Sequence, residues 1–169
     1  MCKKFFLRGQ FRMDVIDYKI LNQIQKKADM PLVDLANLIG LSKTACWNRL
    51  RRLEEDGVII GKFVQLNRFS LNLPIVVFLA ITVRRHSKEW VKQFQFLIDQ
   101  YPEIIEAHRL TGEGADYQLK IVCSSIESYD KLQQALIERI EFNSMSTRIS
   151  LSELKNINTL PIALEKTAI

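Results

Sequence analysis

The chain has 169 residues, 47% of them hydrophobic and 25% charged, which is typical of a soluble globular protein and excludes a disordered one. No apolar run reaches the roughly 18–20 residues of a membrane-spanning helix, and the basic N-terminal segment lacks the apolar core of a secretory signal peptide. Residues 1–72 carry 13 Lys and Arg against 7 Asp and Glu, whereas residues 73–169 have a net charge of −1, so only the first half is expected to bind a polyanion.

Three helical patterns in the first half of the chain predict a DNA-binding domain over residues 14–60. A first amphipathic helix covers about residues 14–28, and a second covers residues 31–40 and ends at a glycine, which can adopt a left-handed conformation. Ser42 caps a third helix, which ends at Gly57. Two short helices joined by a tight turn that contains glycine match a helix-turn-helix, either winged or plain.

The third helix carries side chains suited to the major groove of DNA. At about 100° per residue, Thr44, Asn48 and Arg51 share a face opposite the apolar stripe. Arginine can donate twice to guanine, asparagine can pair twice with adenine, and a threonine methyl or an indole can touch the thymine methyl. Lys43 and Arg49 are better placed for phosphates. Half-buried packing is an equal alternative for the tryptophan. The candidate DNA contacts are Ser42, Lys43, Thr44, Trp47, Asn48, Arg49, Arg51 and Arg52.

Segments with a less regular pattern flank this domain. Residues 1–13 are interpreted as an N-terminal extension, and because Met13 immediately precedes the first helix, an upstream start codon or an expression artefact would explain the residues before it. After the third helix the period changes, and residues 58–66 predict extended chain. Residues 61–73 are therefore assigned to a connector strand and linker.

Residues 74–169 alternate strand and helix patterns in the order β-α-β-β-α-β, which is ferredoxin-like. The fold class is therefore α+β, with an N-terminal three-helix helix-turn-helix domain followed by a ferredoxin-like domain. The predicted elements are strands at about 75–85, 104–110, 116–123 and 146–154, and helices at about 88–100 and 125–140, capped by Ser87 and Ser125. Two helices cover only one face of such a sheet, so apolar residues on the other face predict an isologous homodimer that packs sheet against sheet.

A glycine-rich turn between the second and third strands is the candidate effector site. Gly112 and Gly114 permit close approach to backbone N–H groups, which favours a carboxylate, and Asp116 could pair with an ammonium group. Together they suit a zwitterion, although a tight β-turn with no ligand is the simpler alternative. The candidate effector contacts are Thr111, Gly112, Glu113, Gly114 and Asp116 in the turn, and Ser146, Thr147 and Ser150 on the last strand.

Other features bound the chemistry and the compartment. The three cysteines are odd in number and widely spaced, so no disulfide framework is predicted. Cys46 and Cys123 lie in apolar patterns typical of buried, reduced thiols, which predicts a cytoplasmic protein. His86 and His108 have no partners at metal-ligand spacing and are interpreted as surface or packing residues. The sequence contains no phosphate-binding loop and no nucleophile motif, so we expect no metal, no cofactor and no enzymatic activity.

Four segments carry a family resemblance. They are Asp14-x-x-Asp17-x-x-Ile20-Leu21, the run LVDLANLIGLSKTACWNRLRRLEEDGVIIGK, the turn TGEGADYQLKIV and the tail ISLSELKNINTLPI. Together they resemble the Lrp/AsnC family of feast/famine regulators over about residues 14–162. The variant CWNRLRRLEEDG, with HSKEW and the final LPI, is similar to a subgroup that responds to cysteine. Two features depart from the family: the turn is one residue longer than its usual Gly-x-x-Asp-Tyr, and Asn72 stands where members often carry glycine.

The resemblance implies a sequence-specific transcriptional regulator that binds double-stranded DNA and responds to an amino acid or a related small molecule. It implies dimers of winged-type heads on paired ferredoxin-like domains, assembled further to a tetramer or octamer, with amino acids bound between dimers near residues 111–117. An architectural protein that organises DNA without a ligand switch is the alternative. A ferredoxin-like enzyme with a DNA-binding head would need a catalytic constellation, which the sequence lacks.

Overall fold

The computed structural model describes residues 13–162, which form two compact units. The first unit comprises the described residues up to Gln65 together with those from Asn156 onward, and the second comprises residues 66–155. The N-terminal extension, except Met13, lies outside the described residues. Within residues 13–162, no helix has the length and apolar character needed to span a bilayer.

The first unit is built on three helices, α1 (Val15–Ile24), α2 (Leu32–Ile39) and α3 (Lys43–Glu55). Gly40 ends α2 with a left-handed φ of 75°, and the Ser42 hydroxyl accepts a hydrogen bond from the Ala45 backbone N–H at 3.2 Å at the start of α3. The predicted helix-turn-helix is therefore confirmed, although α1 ends four residues earlier than expected. Its buried core consists of Ile20, Leu21, Leu35, Ala36, Cys46 and Leu53.

The C-terminal segment groups with this first unit. The Gln25 side chain donates to the Leu160 carbonyl at 3.0 Å and accepts from the Leu160 backbone N–H at 2.9 Å. Ile162 packs against the helical core. The sequence assignment of all residues from 74 to 169 to the ferredoxin-like domain did not include this return of the tail, because the contact joins residues 135 positions apart.

The second unit contains β1 (Ile75–Thr82), α4 (Lys88–Ile98), β2 (Ile104–Arg109), β3 (Tyr117–Cys123), α5 (Ile126–Arg139) and β4 (Ser144–Ile149). The strand order is β2-β3-β1-β4 and every neighbouring pair is antiparallel, which confirms the ferredoxin-like fold. Ser87 and Ser125 cap α4 and α5 as predicted. On one face of the sheet, alternate residues of β1 and β3 pack under the two helices: Val77, Leu79, Ile81, Leu119 and Ile121.

One predicted strand segment is absent and another is shorter than expected. Residues 58–66 form no strand, because among residues 13–162 no other strand pairs with them; the backbone N–H groups of Val58 and Ile59 donate to the Leu53 carbonyl instead. Their side chains at Ile60, Phe63 and Val64 are more than four-fifths exposed. The last strand ends at Ile149, opposite Val77 of β1, rather than near residue 154. One further hydrogen bond joins the Ser150 backbone N–H to the Val76 carbonyl, and β1 begins at Ile75, so no strand lies opposite residues 152–154.

The backbone conformation at Asn72 and the burial of two cysteines can also be compared with the sequence. Asn72 has a positive φ of 56°, a conformation that suits glycine and that asparagine tolerates better than most residues. Cys46 and Cys123 are free and buried, as predicted, and burial raises the pKa of both thiols.

The open face of the sheet is more polar than the sequence suggested. Val76 and Ala80 are almost fully buried, and Phe78 is half-buried between Lys120 and Arg148 in the strand register. Since polar neighbours flank the apolar strip on both sides, pairing of two sheets stays a prediction.

Candidate nucleic-acid interface and effector turn

The exposed face of α3 is the candidate DNA interface. Lys43, Thr44, Asn48 and Arg51 are all exposed on this helix. Trp47 is 47% exposed, so it is not a core residue, and the guanidinium carbon of Arg51 lies 5.5 Å from its ring centroid. A guanidinium at this distance from an aromatic ring makes a cation–π contact, which places Trp47 and Arg51 side by side on the helix surface.

Two side chains on this face already make hydrogen bonds within the protein, Arg51 and Ser42. Arg51 Nε donates to Glu55 Oε1 at 2.7 Å, but both side chains are exposed, and such a pair contributes little and exchanges readily. The Ser42 hydroxyl is engaged in capping, so its contribution to DNA binding would come from its place at the positive end of the helix.

Arg49, which the sequence assigns to a phosphate, contacts two carboxylates of the first unit. Its Nη1 donates to Asp14 Oδ2 at 2.7 Å and to Asp17 Oδ1 at 2.8 Å, and its side chain is only 25% exposed. These two hydrogen bonds raise the pKa of Arg49 and keep it charged. The sequence offered no sign of the pairing, because at least 32 residues separate the partners.

Arg52 is held in the same way. Its Nη2 donates to Asp17 Oδ2 at 2.5 Å, although 46% of the arginine side chain remains exposed. Asp17 itself is fully buried and also accepts from the Asp14 backbone N–H at 3.1 Å. Asp17 is therefore a residue that the sequence interpretation missed as part of this surface.

The turn between β2 and β3 is open to solvent. Gly112 and Gly114 have φ values of 116° and 96°, which L side chains rarely adopt, and beyond the adjacent residues no heavy atom lies within 4 Å of the position of a Cβ at either glycine. Its last residue is anchored to the sheet, since the Asp116 backbone N–H donates to the Ile81 carbonyl at 2.8 Å. The turn is thus held at its base and unobstructed at its tip.

Asp116 provides a fixed negative charge at the base of this turn. Its Oδ2 accepts from the Val83 backbone N–H at 2.8 Å, and its Oδ1 lies 3.1 Å from His86 Nε2. The Val83 hydrogen bond, followed by His86 and Arg109, lowers the pKa of Asp116. His86 was interpreted as a surface or packing residue, so its contact with Asp116 was not foreseen.

The three polar residues of the last strand do not all reach the turn. Ser146 lies on the open face and pairs with Ala80, next to Ile81. Thr147 points to the opposite face, where its hydroxyl lies 2.5 Å from the Tyr129 hydroxyl. Ser150 donates its backbone N–H to the Val76 carbonyl, roughly 17 Å along β1 from Ile81 at about 3.3 Å per residue. One chain therefore does not bring all eight candidate effector residues together.

The fold and the two surfaces define a class of protein. A helix-turn-helix with an exposed basic helix, followed by a ferredoxin-like unit with an open turn, is a DNA-binding module joined to a ligand-binding module. No group of three or more His, Cys, Asp or Glu that could hold a metal ion occurs within residues 13–162.

Comparison with known proteins identifies the family. Residues 13–60 match the winged helix-turn-helix DNA-binding family, and residues 76–160 match the Lrp/AsnC ligand binding domain. The chain therefore belongs to the Lrp/AsnC family of transcriptional regulators, which are DNA-binding proteins and not enzymes.

Individual relatives share both units. The glutamate uptake regulatory protein of Zymomonas mobilis is 38% identical over 151 residues, which is 89% of this chain and 92% of that protein. An AsnC family regulator from Agrobacterium tumefaciens is 36% identical and has a TM-score of 0.84, covering 88% of this chain and 97% of that one. A transcriptional regulator from Neisseria meningitidis, solved in complex with L-methionine, is 26% identical with a TM-score of 0.83, covering 89% and 97%.

Proposed function

We propose that this regulator reads its DNA site with the exposed face of α3 and responds to a free amino acid bound at the turn between β2 and β3. The observation that carries the second part is the ionised Asp116 at the base of an open glycine turn. The carboxylate would pair with the α-ammonium group, and the turn's backbone N–H groups would bind the α-carboxylate. The L-methionine complex of the Neisseria relative supports a ligand of this class.

Different residues of α3 would contact the bases and the phosphates of the DNA. Thr44, Asn48 and Arg51 are exposed on one face and carry the groups that discriminate base edges in the major groove. Lys43, in the first turn of α3, would contact a phosphate and set the register without reading sequence.

Arg51→Ala is expected to weaken binding to the specific site by about 1–3 kcal/mol, because a bidentate base contact would be lost. Binding to scrambled DNA should change much less. Fluorescence anisotropy with both duplexes at one salt concentration measures the two affinities, and Arg139→Ala, an exposed arginine on α5, is the matched control. Equal losses on both duplexes would make Arg51 a phosphate contact instead.

We propose in addition that the protein is a homodimer that assembles to a tetramer or octamer, with the effector cleft between copies. The helices of the second unit cover one face of the sheet and leave the other open. Residues 58–66, which pair with no strand, expose four large apolar side chains, as an unsatisfied pairing surface does. An effector site that uses both Asp116 and Ser150 requires a second copy of the chain, because within one chain the two residues lie too far apart to contact the same amino acid.

Cysteine is the first effector to test, because CWNRLRRLEEDG, HSKEW and the final LPI resemble the cysteine-responsive subgroup. The free, buried thiols of Cys46 and Cys123 fit the cytoplasmic location that such a sensor would have.

The deciding experiment measures binding to the protein's own upstream DNA and to scrambled DNA, in moderate salt, with and without single amino acids including cysteine. We expect the protein to prefer the upstream DNA, and we expect one amino acid to change this preference.

Asp116→Asn should reduce the response to that amino acid about tenfold or more while DNA affinity without effector stays unchanged, since loss of a charged hydrogen-bond partner costs about 1.5–3 kcal/mol. Equal binding to both DNAs with no ligand effect would favour an architectural, DNA-organising role.

A further inference from the structure

Asp17 is an unusual residue in the DNA-binding head. Among residues 13–162 it is the one buried polar or charged side chain, with no exposed surface. A buried carboxylate is tolerated only where cations and hydrogen-bond donors compensate it. Here that compensation comes from Arg49 and Arg52, two arginines of the helix proposed to enter the DNA groove.

The pairing changes the charge that α3 can offer to DNA. The helix carries four cations, Lys43, Arg49, Arg51 and Arg52. Arg49 and Arg52 are directed back to α1 by Asp17, and Asp14 holds Arg49 a second time. The other two cations remain on the exposed surface, where Arg51 has only a screened partner at Glu55.

Arginines freed from this pairing would act mainly on phosphates. Phosphate contacts contribute affinity that does not depend on sequence, and they supply nearly all of non-specific binding. A non-specific complex can shift along and around the duplex to use every available cation, whereas the specific complex is held in one register by its base contacts. Two additional mobile cations would therefore raise non-specific affinity more than specific affinity.

We propose that Asp17, assisted by Asp14, is a specificity-determining positioning residue that withholds Arg49 and Arg52 from DNA phosphates. The inference rests on the proposed role of α3 in DNA binding. The same pairs fix the orientation of α3 against α1, so their loss would also misalign the base-reading face. Both effects lower the ratio of specific to non-specific affinity.

The test is the salt dependence of binding by Asp17→Asn, a nearly isosteric change that removes the charge and replaces one acceptor oxygen with an NH2 donor. On scrambled duplex DNA, the slope of log K against log salt should steepen by about 0.9 for each arginine that gains a phosphate. Non-specific affinity at 0.1 M salt should then rise roughly tenfold per contact, with no comparable rise for the specific site. Far-UV circular dichroism establishes that the variant is folded.

Two further variants keep the test decisive if Asp17→Asn does not fold. Asp14→Asn retains the N-cap of α1 and loosens only Arg49, so its slope should steepen by less than that of Asp17→Asn. Arg49→Gln should leave the slope unchanged, because this side chain makes no phosphate contact. Lys43→Gln, a proposed phosphate contact on the same helix, should flatten the slope by about 0.9 and serves as the matched control.

The outcomes separate this inference from the proposed interface. An unchanged slope and ratio in folded Asp17→Asn, or a slope flattened by Arg49→Gln, would overturn the withholding role while leaving α3 as the DNA-binding helix. If Lys43→Gln and Arg51→Ala also leave binding to both duplexes unchanged, the proposed interface is wrong and this inference with it.

Discussion

Leu53→Ala should lower the free energy of unfolding of the DNA-binding head and leave that of the sheet unit unchanged. Leu53 is fully buried in the small core of the head, and the second unit has a separate core of its own. Truncating a buried leucine costs about 2–5 kcal/mol, which is a large part of the roughly 5–15 kcal/mol that stabilises a whole domain. DNA binding should be lost at lower urea concentration than in the unmodified protein, because it requires the folded head.

The two tryptophans allow each unit to be followed separately. Trp47 lies on α3 in the head, whereas Trp90 lies on α4 and packs against Phe94 and Phe142 in the second unit. In urea unfolding, Trp47→Phe leaves a probe of the sheet unit and Trp90→Phe leaves a probe of the head. The head transition should move to lower urea in the Leu53→Ala background, and the sheet transition should not.

Leu38→Ala is the matched control for this prediction. Leu38 is the same residue type on a neighbouring helix, but it is 59% exposed, so its truncation should change stability by no more than about 0.5 kcal/mol. If both tryptophan signals shift together in Leu53→Ala, the two units unfold as one cooperative body and the expectation of separate transitions fails.

Phe78→Lys should convert the proposed dimer to monomers at micromolar concentration. Phe78 lies in the middle of the open sheet face, between Lys120 and Arg148, so the change creates a row of three cations. In an isologous dimer that row meets its own copy, and the lost burial of about 1–2 kcal/mol per phenylalanine counts twice. Together with like-charge repulsion, this should weaken the dimer by about 3 kcal/mol or more, a factor above about 100.

Analytical ultracentrifugation across a concentration series measures this effect. Phe96→Lys is the control, because Phe96 is 71% exposed on α4, on the helical side of the sheet, and its replacement should leave the dimer intact. High salt should partly restore dimers of Phe78→Lys, since it screens the repulsion but not the lost apolar contact. A dimeric Phe78→Lys variant would exclude the open sheet face as the interface, and a monomeric unmodified protein would exclude the dimer.

The sequence determined the local structure of this protein. Helix periodicity, serine caps at Ser42, Ser87 and Ser125, and the glycine stop at Gly40 depend on residues within four positions of each other, so they can be recognised without a fold. The order of strand and helix patterns was enough to predict the ferredoxin-like topology, because few arrangements of β-α-β-β-α-β are sterically allowed.

The tertiary structure decided which charged groups are available and where strands end. Arg49 was expected at a phosphate but is paired with Asp14 and Asp17. The sequence suggests that Asp116 pairs with the ammonium group of a ligand, and in the structure its carboxylate also contacts the Val83 backbone N–H and His86. Each of these contacts joins residues at least 30 positions apart, so no local pattern encodes it.

Strand pairing also depends on residues that are distant in the sequence. Residues 58–66 have the composition of a strand, but no strand pairs with them within the described chain, and β4 ends opposite Val77, near the start of β1. A residue pattern specifies which chain segments can be extended, but a strand exists only where a second backbone accepts its hydrogen bonds. Periodicity and caps were therefore determined by the sequence itself, whereas the pairing of charges and of strands was decided only by the folded chain.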